Sequence, residues 1–67
     1  MKQFEILITS PPDRKNLVAE IWHDDTLVAE VLQETGKFEI EFYLHGKKLF
    51  DLSDLLKAIE IAKEKLL

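Results

Sequence analysis

Carboxylates are the side chains best placed to do chemistry, and two of them stand at strand spacing: Glu39 and Glu41 within Phe38-Glu39-Ile40-Glu41-Phe42-Tyr43-Leu44. Such a pair works as general acid and base only where a cleft raises one pKa and leaves the other group charged. His23 and His45 are the only histidines, His23 beside acids and His45 beside lysines, and both read as solvated turn residues. A metal would need them to converge with a third ligand, and no HxH, HExxH or cysteine pattern supplies one. Ser10 precedes two prolines and Ser53 lies in a first helical turn, with no histidine near either in sequence. Gly36 and Gly46 are the only glycines, too few for a phosphate-cradling loop. The residue types therefore point away from catalysis, and no metal or cofactor is expected.

The elements that must carry these side chains are strands. Leu17-Val18-Ala19-Glu20-Ile21-Trp22 and Leu27-Val28-Ala29-Glu30-Val31-Leu32 repeat nearly the same pattern, and the segment Phe38 to Leu44 alternates apolar and polar as a strand with one dry face does. Phe4-Glu5-Ile6-Leu7-Ile8-Thr9 is a further strand that stops at Pro11 and Pro12, where two backbone donors are missing. The segment from Ser10 to Asn16 is then a wide exposed turn carrying Arg14 and Lys15. From Phe50 the pattern turns helical, with Asp51 as N-cap, Asp54 three residues on, and Phe50 with Leu55 at the spacing of a hydrophobic staple. Leu52, Leu55, Leu56, Ile59, Ala62 and Leu66 form the stripe expected to lie on the sheet, with Ile61 nearly opposite.

The expected fold is α+β, a four-stranded antiparallel β-meander with one C-terminal α-helix packed on one face (ββββα), in a single domain over residues 1–67. A three-residue turn, Asp24 to Thr26, is preferred between the second and third strands. It sets Leu17, Ala19, Ile21, Leu27, Ala29 and Val31 on one face and leaves Glu30 on the other, whereas a two-residue turn would bury that charge beside Ile21. Glu20 then lies near Glu30, a like-charge pair across strands. Gly36 supplies the positive φ of the next turn.

A chain of this length buries roughly 60% of its unfolded surface, so the core is small. No cysteine is present, which favours a reducing compartment. The N-terminus lacks the apolar run of a signal peptide and nothing approaches the ~20 apolar residues of a membrane span, so the chain reads as cytoplasmic. Thirteen acidic against nine basic side chains give a net charge of −4, the wrong sign for nucleic-acid phosphates and the right one for a basic protein.

One helix covers one sheet face. The other presents Glu5, Leu7, Val18, Glu20, Trp22, Val28, Glu30, Leu32, Glu39, Glu41 and Tyr43 in this register. Aromatics among carboxylates suit an interface with a basic surface, the rings as anchors and the acids for steering. Glu20, Trp22, Glu30, Leu32, Glu39, Glu41 and Tyr43 are the candidate partner-binding residues. The rival reading is a wet face kept soluble by its glutamates.

The run LVAEIWHDDTLVAEVLQETGKFEIEFY followed by FDLSDLLKAIEIAKEKLL resembles small bacterial immunity proteins of contact-dependent growth inhibition and similar toxin systems. The resemblance lies in the order of strand and helix patterns and carries no functional residue across. It implies an antitoxin that binds and neutralises one cognate toxin domain, often a basic nuclease. The alternative expectation is a small homodimeric accessory protein that assembles through its open face or an edge.

Overall fold

The computed structural model describes residues 4–67. Strands β1 (Phe4–Thr9), β2 (Val18–His23), β3 (Thr26–Leu32) and β4 (Glu39–Phe42) form one antiparallel sheet in the order β1-β2-β3-β4, followed by helix α1 (Leu52–Lys65). This is the ββββα meander, with β1 and β4 as its edges. Ala19, Ile21, Val28, Ala29 and Val31 from the two inner strands join Ala58 and Ala62 of α1 in the core, and Phe4, Ile6, Phe38, Leu44, Phe50, Ile59 and Leu66 pack around it.

The turn between β2 and β3 departs from the three-residue expectation. It has two residues, Asp24 and Asp25, closed by the pair His23 and Thr26, and Asp24 takes a φ of +58°. Aspartate tolerates that left-handed conformation better than a β-branched residue does. An even turn alone would turn Glu30 onto the core face. The register shifts instead: Ile21 pairs with Ala29 while Trp22 pairs with Leu27, so Val28 is the extra residue of a β-bulge. The bulge returns Glu30 to the open face and leaves Ala29 and Val31 inside. It also exchanges two residues from their expected faces, since Leu27 now lies beside Trp22 and Val28 is fully buried in the core. Leu17, expected inside, precedes β2 and is exposed.

Helix α1 begins as its capping residues predict. The Asp51 carboxylate accepts from the backbone N–H of Asp54 at 2.9 Å, and Lys63 and Lys65 occupy the last turn, where positive charge complements the helix dipole. The buried stripe is rotated from expectation: Ala58 and Ala62 are its centre, whereas Leu52 and Leu56 are exposed. Two alanines one turn apart allow the helix to approach the small Ala19 and Ala29 of the sheet closely, and the bulkier leucines are displaced to a flank. Phe50 packs against Phe4 and His23, with ring centroids 5.4 and 5.2 Å away. His23 is therefore a member of an aromatic cluster rather than a solvated turn residue, its ring 4.9 Å from that of Phe4.

The helix does not cover its whole face of the sheet. It lies over β1 and β2, touches β3 less, and comes close to no part of β4. A helix is about 10 Å across, while four strands at ~4.8 Å spacing span about 14 Å between the outer two. On the uncovered strand, Ile40 and Phe42 point to the helix side, paired with Val31 and Ala29, yet stay 38% and 53% exposed.

Candidate functional site

The open sheet face is built in rows. Across its middle, Leu7 pairs with Glu20, Glu20 with Glu30, and Glu30 with Glu41, so three carboxylates stand side by side on adjacent strands. Like charges directly opposed are destabilising, and this row is held by donors brought to it from elsewhere. Arg14 reaches back from the β1–β2 connection to Glu41 at 3.0 Å and Glu30 at 3.8 Å. The Tyr43 hydroxyl lies 3.0 Å from a carboxylate oxygen of Glu30 and 3.0 Å from one of Glu41. The Trp22 indole N–H donates to Glu20 at 3.0 Å. Burial works against the Arg14 charge, but Glu41 and Glu30 outweigh it and hold its pKa above the ordinary value.

The connection that carries Arg14 is exposed along most of its length, as expected, and it also acts as a strap. The backbone N–H groups of Lys15 and Asn16 donate to the Glu34 carboxylate at 2.8 and 2.9 Å, and the Asn16 side-chain amide donates to the Gln33 carbonyl at 3.3 Å. The strap ties the β1–β2 connection to the β3–β4 turn. Under it Val18 is fully buried, and Leu32 and Glu30 keep only 8% and 9% of their surface, although they lie on the face without a helix. The Lys15 and Asn16 N–H groups also lower the Glu34 pKa. A depressed carboxylate pKa contributes stability that is present above the unfolded value and lost as pH falls through the folded one. Glu34→Ala is expected to speed hydrogen exchange at the Lys15 and Asn16 amides by on the order of tenfold, while core amides of β2 keep their protection. Unchanged exchange at these two amides would mean the carboxylate does not hold the strap.

Tyr43 reports on the same row. Desolvation, reinforced by the hydrogen bonds to Glu30 and Glu41, pushes its pKa from the ordinary 10.0 up to about 12. It is the only tyrosine, so tyrosinate absorbance reads it without ambiguity. The raised pKa makes its stabilisation fully present below the unfolded value of about 10 and lost as pH rises through about 12. A spectrophotometric titration should give a midpoint well above 10, falling toward the ordinary value on denaturation; a native midpoint near 10 would contradict the bonded phenol.

These contacts divide the candidate residues of the sequence. Glu30, Leu32, Glu41 and Tyr43 belong to the strapped half, where Glu30 and Leu32 are buried and Glu41 is bound to Arg14. Glu39 stands at the margin of the sheet and accepts from the Thr35 hydroxyl at 3.0 Å. Glu20 and Trp22 lead into the half that the strap leaves open. There Glu5, Leu7, Trp22, Asp24 and Asp25 line a depression of about 350 Å³. Glu5 pairs with Trp22 across β1 and β2, so a carboxylate and an indole are presented together. Asp24 and Asp25, read from sequence as turn material only, complete its rim. Arg14 was missed as a site residue, although Val18 and Leu32 on a helix-free face signal that something must cover them.

Among the described residues no group of three or more His, Asp or Glu side chains is arranged to hold a metal ion, and no helix is long and apolar enough to cross a membrane. No protein family matches the chain, and neither does any curated protein or solved structure.

Proposed function

We propose that the chain is a non-enzymatic protein-binding module that takes a basic protein partner on the Trp22 end of its open sheet face. The observation that carries this reading is the depression lined by Glu5, Leu7, Trp22, Asp24 and Asp25, where two apolar walls lie within a rim of carboxylates. An indole and an aliphatic side chain give a desolvated anchor, and the acids orient a cationic side chain over the ring face, where cation and π-system attract. The net charge of −4 steers such a partner at long range. A basic, nuclease-type toxin domain is the partner class that the resemblance to immunity proteins brings forward, and binding of this kind neutralises it by covering its surface.

The test is affinity capture from the host with tagged wild-type protein beside a Trp22→Ala, Glu5→Lys variant, with bound proteins identified by mass spectrometry. One basic protein enriched by the wild type and lost in the variant is the expected result. Equal capture by both would remove the Trp22 end from the interface.

A further inference from the structure

The helix side of β4 is left uncovered, a bare trough beside α1. Ile40 and Phe42 are exposed on it; α1 comes nearest just before β4, where Lys63 lies over the Phe38 ring at 5.9 Å, and Leu56 and Leu52 lie on the same flank of the helix in earlier turns. Leu56 and Leu52 are 55% and 69% exposed. Ile40, Phe42, Leu52 and Leu56 at these exposures present on the order of 450 Å² of apolar surface, the size of the largest patch on a typical monomer, which is often functional. The outer edge of β4 adjoins the trough, since among the described residues β4 pairs with β3 alone.

We infer that this edge and trough are a homodimer interface in which β4 pairs antiparallel with β4 of a second copy across a two-fold axis, joining two sheets into one of eight strands. The spacing of the carboxylates fixes the register, because like charges directly opposite are destabilising. With Phe42 opposite its own copy, Ile40 faces Leu44 of the second copy on the helix side. On the open side Glu41 faces Tyr43 and Glu39 faces His45, so no two carboxylates are directly opposed. The register centred on Glu41 opposes that carboxylate to itself. The register centred on Tyr43 runs Ile40 against Gly46, whose φ of +70° breaks the strand. Hydrogen bonding to β3 continues one residue past the end of β4, since the Tyr43 backbone N–H donates to the Val28 carbonyl at 2.9 Å, and pairing with the second copy would extend the strand through Leu44 and His45. The exposed side chains supply about half of the ~800 Å² per partner of a stable association, and pairing of the strand edges adds backbone hydrogen bonds to them. The two Trp22 ends stay open at the far sides of the joined sheet.

Sedimentation velocity at roughly 100 µM, a concentration that populates a dimer with a micromolar dissociation constant, is expected to give twice the 7.8 kDa chain mass. Phe42→Lys should raise the dissociation constant at least ~100-fold, the loss of a central aromatic anchor, with the circular dichroism of the fold retained. The chain has no cysteine, so Phe42→Cys treated with a short bis-maleimide should give a covalent dimer while Ile61→Cys, on the outer helix face, should not. Trp22→Ala should leave the mass unchanged. A wild-type monomer at this concentration, or a dimer that survives in Phe42→Lys, overturns the inference. If Phe42→Lys does not fold, the bridging comparison decides, and equal bridging at both positions overturns it as well.

Discussion

Ile21→Ala is expected to lose about 3–4 kcal/mol of stability, in the middle of the range for truncating a buried isoleucine. Ile21 is among the largest fully buried side chains, on an inner strand beneath the helix. Its neighbours Ala19, Ala29, Ala58 and Ala62 are already small and have no side-chain reach with which to fill a new cavity. A domain of this size has a total stability on the order of 3–10 kcal/mol, so one truncation removes a large share of it. Thermal unfolding should show the midpoint falling by roughly 20 °C. Leu49→Ala is the control, because Leu49 is 98% exposed and its removal should stay within about 0.5 kcal/mol of wild type. A loss under about 1 kcal/mol at Ile21 would mean that the alanine seam of α1 does not rest on β2.

The second large effect falls on binding. Trp22→Ala is expected to weaken the affinity for the basic partner by about 2 kcal/mol or more, near 30-fold, as truncation of a central aromatic anchor does. The indole is held by its N–H bond to Glu20 and forms one wall of the depression with Leu7. Trp22→Phe separates the two contributions, because it keeps much of the ring and gives up the bond to Glu20. An intermediate affinity for Trp22→Phe is the expected outcome. Added salt should slow association of the wild type, since rim acids act mainly on the on-rate. Full affinity in Trp22→Ala would take the depression out of the interface, and a salt-independent on-rate would remove the steering role of the acids.

Both predictions depend on the same local device, the bulge at Val28. Deletion of Val28 restores an unbroken ladder after the two-residue turn with Ile21 still opposite Ala29 and Glu20 still opposite Glu30, so it should keep Glu30 on the open face and cost only the buried Val28 side chain. The bulge explains how a short turn and a repeated strand pattern coexist. Sequence periodicity fixes which residues belong on one face, and an extra residue in either the turn or the strand satisfies it equally well. The odd residue assigned to the turn at Thr26 resides in the strand at Val28.

Read alone, the sequence determined the order ββββα, the strand limits to within a few residues, the Asp51 cap and the alternation that sets Glu20, Glu30, Glu39 and Glu41 on the face away from the helix. These follow from local rules: period two in strands, period 3.6 in the helix, and turn residues with few alternatives. Only the tertiary structure decided that Ala58 and Ala62 rather than Leu52 and Leu56 meet the sheet. A helix pattern defines a broad apolar arc, and the close approach that chooses a line within it depends on the small residues opposite. Tertiary packing also decided that Arg14, in a proline-bounded connection, lies over the carboxylate row. A long-range ion pair leaves no period in the sequence, and its geometry comes from Glu34 tying the strap to the next turn. The uncovered side of β4 has the same origin: one helix is narrower than four strands, and nothing in the pattern of either says which edge is left bare.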